Sequence, residues 1–335
     1  MIARYHNLQR YPTVFRSMTG LRVGEFEQLV IDAAPLYAEA ERARHNPTLT
    51  REGNPRQRAM GGGPHFSLSM RDQLLLTVAW LRVYPTNEVA GFLFGVSDSS
   101  VSRIVSRLVP LLAKVGKDQM RMPDPGRKHR RTLDDLLRDI PELGMVIDTF
   151  EQPVQRPQRP SRRSKREEAD KWYSGKKKRH TIKNQLGVNR NSGEVSDVGE
   201  SVRGPTNDLN LLKQSKLLDR LPEGVSGEGD LAYMGIASLH PQGLGFTPRR
   251  KPRGADKHRP RGQDKARPPE DVAYNRAFAR SRIVVEHTIL RMRRYQSLYQ
   301  TDRHHRNIKG HTERVAAVAG LVNRQIRHRL PYLVN

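Results

Sequence analysis

The chain has no cysteine. That excludes disulfide staples and thiolate metal sites. It also has no secretory signal pattern and no apolar run of membrane-spanning length, so a soluble, cytoplasmic protein is expected. No internal repeat is present. Acid is scarce: 35 Asp and Glu stand against 60 Lys and Arg, a formal charge of +25 and a pI near 10.8. A surface that positive attracts polyanions over long range, and nucleic acid is the leading partner class. A membrane surface fits less well, because no lipidation signal and no clean basic amphipathic anchor accompany the charge.

At 335 residues there is room for two domains, or for one large and one small. Residues 1–66 read as an N-terminal helix followed by a basic connector. The helix runs from Val23 to His45, with Pro35 kinking it or ending its first half. The connector, 46–66, is polar, basic and rich in Gly and Pro. Residues 67–120 read as a small all-α domain. Ser69 caps a first helix, Pro85 ends it, Thr86 caps a short second one, Gly95 turns the chain and Ser97 caps a third. A short helix, a Gly turn and a helix opening on small polar residues resemble a helix-turn-helix. Ser99, Ser100, Ser102, Arg103, Ser106 and Arg107 are then the groove- or phosphate-facing set. The plainer alternative is an ordinary three-helix packing unit.

A basic connector with a short amphipathic helix near Leu133–Ile140 follows, and then the periodicity changes to two. Strands are predicted at Met145–Phe150, His180–Val188, Val195–Val202 and Val225–Leu231, with a short fifth at Gly245–Pro248 and a turn at Asn191–Gly193. Helices are predicted over Asn207–Leu221, Ala273–Arg294 and Asn307–Arg329. Two basic loops interrupt this pattern. Arg156–Lys183 holds twelve Lys and Arg against three acids, and Arg249–Arg267 nine against two. The order describes a mixed α/β layer over residues 140–335, the element order of a ribonuclease-H-like fold.

Three carboxylates stand out in that layer. Asp148 lies inside an apolar strand, where Asp is unfavourable. Asp230 ends the fourth strand, after a glycine that permits close backbone approach. Glu286 sits on the long helix, with Ala279, Ile283 and Leu290 to one side and Phe278, Val285, Ile289 and Met292 to the other, which reads as a half-buried position. Arg282 and Arg293 neighbour it on the helix. The separations are 82 and 56 residues. Acids on two strands and a packing helix can meet at one point, and such hard oxygen ligands suit Mg²⁺ or Mn²⁺. Two such ions roughly 3.5–4 Å apart activate a nucleophile and stabilise the leaving oxygen of a phosphodiester. For the isolated helix, the plainer alternative is a Glu–Arg pair in a packed core.

Four motifs in order now carry a resemblance: the Asp in VIDTFEQPVQRP, the YSGKKKRHTIK run, GDLAYMG, and the NRAFARSRIVVEHTILRMRR helix. They resemble bacterial DDE-superfamily transposases of the insertion-sequence-five group, with Harbinger transposases as relatives. The resemblance implies that Asp148, Asp230 and Glu286 bind two Mg²⁺ (or Mn²⁺), and that Arg282 and Arg293 are the basic residues flanking the Glu. It implies double-stranded DNA as partner, at both element ends and target, and a homodimer or higher oligomer associated with the bacterial nucleoid. The chain departs from the family in having Asp148-Thr149-Phe150-Glu151 for Asp-Gly-Thr-Glu, Gly229-Asp230-Leu231-Ala232-Tyr233 for Gly-Asp-Lys-Gly-Tyr, and Ala279 for a Tyr.

Other residues have two readings each. Lys176, Lys177, Lys178 and Arg179 either contact phosphate or form a solvated face. Trp172 and Tyr173 either stack on an unpaired base or anchor a loop. His180 and His287 assist proton transfer, contact phosphate or simply line the channel. Glu151, on the opposite strand face from Asp148, is expected to orient a Lys or Arg. The alternatives to a working transposase are an inactive or domesticated DNA-binding relative, and a nuclease that hydrolyses without joining.

Overall fold

A computed structural model describes residues 3–45, 67–123, 143–156, 171–251, 267–303 and 307–329. The predicted helix near Leu133–Ile140, half of the first basic loop and most of the second lie outside the described residues. Packing divides the chain into two units. One comprises Met1–Gln119, Arg293–Gln300 and Glu313–Asn335; the other Met120–Met292 and Thr301–Thr312. The division is not contiguous in sequence. The closing helix, expected within a single C-terminal domain, is shared between the units. No described helix is long and apolar enough to cross a membrane.

The first unit is helical. Its elements are α1 (Tyr5–Leu8), α2 (Pro12–Thr19), α3 (Val23–His45), α4 (Met70–Val83), α5 (Asn87–Phe94) and α6 (Asp98–Asp118). α3 runs through Pro35 without ending there. Local chemistry sets the next three boundaries. The hydroxyls of Ser69, Thr86 and Ser97 accept the amides of Asp72, Val89 and Ser100, and Gly95 closes α5 in the left-handed region at φ 66°. Val101, Ile104, Val105 and Leu108 of α6 are buried at a helical period, whereas α4, with Leu74, Leu75, Val78 and Leu81, is buried all round from Gln73 to Leu81. The C-terminal part of α10 (Ile308–Arg329) completes this unit. It crosses α6 where a Cβ on Gly320 would stand 2.5 Å from Gly116 Cα. Only glycine allows that approach.

The second unit is built on a seven-stranded mixed sheet. β1 (Gly144–Pro153) pairs antiparallel with β3 (Arg179–Asn189) and parallel with β6 (Ser226–Glu228), which pairs parallel with β7 (Gly245–Phe246). β2 (Tyr173–Ser174), β4 (Val195–Val198) and β5 (Val202–Arg203) all pair antiparallel with β3. Three antiparallel members followed by two parallel ones is the ribonuclease-H-like order. The predicted strand over Val195–Val202 is interrupted between β4 and β5. The helix predicted over Asn207–Leu221 stops at Ser215 (α7, Asp208–Ser215), where Lys216 takes φ 49°, and resumes as a 3₁₀ turn at Leu218–Arg220.

Alternation along β1 sorts its side chains onto two faces. Met145 and Ile147 enter a core with Leu212, Leu217, Leu218, Tyr233 and Ile236, the last from α8 (Ile236–Leu239). The other face bears Val146, Asp148 and, by register, Glu228. That face receives α9 (Pro269–Arg293). Ser281 Oγ donates to Glu228 Oε2 at 3.2 Å, and Thr288 Oγ1 donates to the Gly193 carbonyl at 2.7 Å. These two bonds and the burial of Phe278, Val285, Ile289 and Met292 fix the helix's rotation about its axis.

Candidate active site

β1 and β6 run parallel with Gly144 opposite Ser226, Met145 opposite Gly227 and Val146 opposite Glu228. Continuing that register by two residues sets Asp230 beside Asp148, on the face that α9 covers. Gly229 makes the turn possible. A Cβ there would lie 2.7 Å from the Tyr233 ring. Asp230 then caps the 3₁₀ turn Leu231–Tyr233, accepting the Ala232 amide at 2.8 Å. The Asp in the apolar strand and the Asp after the glycine are thus brought together from 82 residues apart.

Asp148 is 20% exposed, with Arg282 Nη2 3.6 Å from its Oδ2. Its Oδ1 accepts the Thr149 amide at 2.8 Å. Burial, and then the like charges of Asp230 and Asp208, push its pKa up to about 6, against the downward pull of the Thr149 amide and Arg282. A half-buried carboxylate with a second acid on its own face is an oxygen-lined, electronegative spot that a hard cation relieves. On this count Asp148 and Asp230 fit a divalent ion.

Glu286 is placed differently. It is exposed, not half-buried as the apolar pattern suggested, because the side of α9 bearing Ala279, Ile283 and Leu290 faces outward: Ile283 is 49% and Leu290 59% exposed. Glu286 follows Arg282 by four residues, about 6 Å along the axis and ~40° around it. It therefore flanks the same end of the helix face that meets Asp148. Among the described residues, no three His, Asp or Glu side chains stand close enough to hold an ion as a group. The structure gathers two of the three expected acids.

The remaining residues of the expected site divide between exposed cations and anchored side chains. Lys176, Lys177 and Lys178, on the turn between β2 and β3, and Arg179, which opens β3, are all exposed. Trp172 is buried with Val154 and Ile182, and the Arg203 guanidinium lies 5.4 Å from its ring, so it anchors the loop. Tyr173 is exposed and packs edge-on to His180 at 5.6 Å. His287 is exposed and Arg293 partly so. Glu151 is buried on the face opposite Asp148, as expected, where it accepts the Thr181 hydroxyl at 2.6 Å and stands 4.0 Å from Lys183 Nζ.

In the helical unit, Ser99, Ser102, Arg103 and Ser106 are exposed at the start of α6. Ser100 is partly buried by its bond to the Ser97 cap. Arg107 turns inward instead: Nη1 donates to Glu41 Oε1 at 2.7 Å, Nη2 donates to Gln73, and the guanidinium lies over Tyr37. A cavity of about 350 Å³ opens there, bordered by Arg44, Arg103 and Arg107.

Sequence reasoning missed Asp208 and the buried end of Lys183. Asp208 opens α7 behind the Asn207 cap, where an acid is so ordinary that it carries no signal. Its carboxylate accepts from Lys183 Nζ at 2.8 Å and from Thr149 Oγ1 at 3.1 Å.

Comparison with known proteins identifies the family. Residues 66–118 match the family described as the helix-turn-helix of DDE superfamily endonuclease. A protein of Microchaete diplosiphon named "probable transposase for insertion sequence element IS702" is 29% identical over 237 residues, 70% of this chain and 74% of its own length. No solved structure matches. Residues 147–323, more than half of the chain and including all three acids, match the family described as DDE superfamily endonuclease, and the chain belongs to that superfamily.

Proposed function

We propose that the protein is a DNA transposase whose helical region binds the inverted-repeat ends of an insertion sequence and whose sheet-bearing unit cuts and joins them. Asp148, Asp230 and Glu286 are the metal-binding acids of this reading, holding two Mg²⁺ or Mn²⁺. Ions so held activate a water or hydroxyl nucleophile and stabilise the leaving oxygen of the phosphodiester. The observation that carries the reading is the closeness of Asp148 on β1 to Asp230 just past the end of the parallel strand β6, in a chain whose formal charge is +25. The name of the Microchaete relative supports transposition over other phosphodiester chemistry.

The chain's own groups have separable tasks. Arg282 offsets the charge of Asp148 and fixes its Oδ2 side. The exposed cations Lys176, Lys177, Lys178 and Arg179 receive backbone phosphates that the acids alone would repel. Ser99, Ser102 and Arg103 meet the end DNA from α6, and Arg107 holds α6 to α3 and α4 behind them. Hydrolysis at each end exposes a 3′-hydroxyl, which attacks target DNA in line without a covalent protein intermediate. Two ends handled together call for a dimer or larger assembly.

The test is Mg²⁺-dependent nicking of DNA carrying the repeats that flank the gene. Single Asp148→Ala, Asp230→Ala and Glu286→Ala variants should lose nicking and keep DNA binding. Unchanged nicking in all three overturns the site assignment. The second reading, a DNA-binding relative that has lost catalysis, draws on the separation of Glu286 from the two aspartates. It requires specific binding with no nicking by the unaltered chain at any Mg²⁺ or Mn²⁺ concentration. Pre-nicked ends distinguish a transposase, which joins them to target DNA, from a nuclease, which does not.

A further inference from the structure

We propose that the buried Lys183–Asp208 ion pair is the positioning device for Asp148, acting through Thr149. The inference rests on the reading that Asp148 holds a divalent ion.

The pair is unusual for its depth. The Lys183 side chain is 8% and that of Asp208 12% exposed, with Nζ 2.8 Å from Oδ1. Removing two charges from water costs several kcal/mol per ion, and an apolar pair of similar volume would serve packing as well or better. Each charge here makes a further bond. Lys183 Nζ also donates to the Thr206 carbonyl, which ties down the approach to the Asn207 cap of α7. Asp208 Oδ1 also accepts from Thr149 Oγ1 at 3.1 Å.

Thr149 is the link. Its side chain points to the α7 face of the sheet, because it alternates with Asp148 along β1. Its amide, meanwhile, donates to Asp148 Oδ1 at 2.8 Å. A bond network on one face of the sheet therefore grips the peptide that orients a carboxylate on the other. The grip comes from behind, so it takes up no space on the side where an ion and a phosphodiester must enter. Lys183 reaches this place by register: it lies opposite Glu151 on β3, and Glu151 stands 4.0 Å from its Nζ. Outer-shell hydrogen bonds of this kind set the orientation and basicity of metal-binding groups.

The experiment measures Mn²⁺ binding to the full, DNA-free chain by the loss of the free-ion electron paramagnetic resonance signal, alongside Tm. Thr149→Val keeps the shape of the side chain and removes only the hydroxyl. It should weaken Mn²⁺ binding by about tenfold or more with Tm little changed. Thr149→Ser, which restores a hydroxyl, should recover the affinity. Asp208→Asn and Lys183→Met should weaken it similarly. Asp208→Asn is the variant most exposed to misfolding, so Thr149→Val decides. Mn²⁺ binding by the unaltered chain with equal affinity in Thr149→Val overturns the positioning role and leaves the metal reading intact. No Mn²⁺ binding by the unaltered chain, with or without end DNA, overturns both.

Discussion

Two aspartates and a glutamate make up the candidate site, and the fold holds them by different means. Asp148 stands on β1 and Asp230 two residues past the end of its parallel neighbour β6, so the strand register carries the two acids towards each other. Each is further fixed by a backbone amide. Glu286 rides on a helix whose rotation is set by Ser281, Thr288 and a buried apolar stripe, and that rotation leaves it exposed. On the proposed reading, the sheet would preassemble two of the three metal ligands at an electrostatic cost, and the helix would carry the third at the rim.

The sharpest way to break the comparison is to measure metal binding apart from cleavage. Asp148→Ala and Asp230→Ala should abolish Mn²⁺ binding by the DNA-free chain. Glu286→Ala should leave most of it, yet abolish nicking as completely as the other two. Equal loss of Mn²⁺ binding in all three, measured by equilibrium dialysis, would mean that the glutamate belongs to the preassembled part.

Stability separates the two sides of α9 next. Phe278 is fully buried and Ile283 is 49% exposed, although the sequence presents both as members of an apolar stripe. Phe278→Ala should cost about 3–5 kcal/mol, and Ile283→Ala should stay within about 0.5 kcal/mol, as read from urea midpoints. A large effect at Ile283 would place an unseen partner on the outer side.

The preassembled pair should also reveal its electrostatic cost. The folded pKa of Asp148, about 6, lies above the ordinary 3.8. Between those values the folded chain holds a proton that the unfolded chain has lost, so stability falls as pH rises through that window. Above it the full penalty applies, up to about 3 kcal/mol. In metal-free buffer Asp148→Asn should therefore be more stable than the unaltered chain at pH 8, and the advantage should shrink towards pH 4. Added Mg²⁺ should stabilise the unaltered chain and not the variant.

What the residues disclosed in advance follows the range of the forces involved. Helix boundaries in the first unit are set by bonds spanning three residues, so Ser69, Thr86, Gly95 and Ser97 could be read directly. β1, β3 and α9 were legible from period alone, Asp148 from being polar inside an apolar strand, and Asp230 from ending a strand behind a glycine. The outward turn of Glu286 was not legible. On an isolated helix, the side with Ala279, Ile283 and Leu290 and the side with Phe278, Val285, Ile289 and Met292 have equal claims to burial, and only hydrogen bonds to β6 and the β3–β4 turn choose between them. Asp208 was hidden for the same reason. Its importance lies in Lys183 and Thr149, 25 and 59 residues away, while its local setting is that of any helix-opening acid.

The smallest effect tests the opposite pole, where a short-range signal also carries function. Ser97 Oγ accepts the Ser100 amide at 3.2 Å and so caps α6. Ser97→Ala should cost about 1 kcal/mol, and on that ground alone it would weaken DNA binding only through fraying of the first turn. Ser97→Asp keeps the cap and favours the positive end of the helix, so stability should return to that of the unaltered chain or exceed it. If Ser99, Ser102 and Arg103 lie against phosphate, however, the added carboxylate repels it, and affinity for end DNA should fall further than in Ser97→Ala, most strongly at low salt. Stability and affinity then move in opposite directions in one variant. Recovery of both together would mean that the start of α6 faces away from DNA and that its serines only cap and solvate the helix.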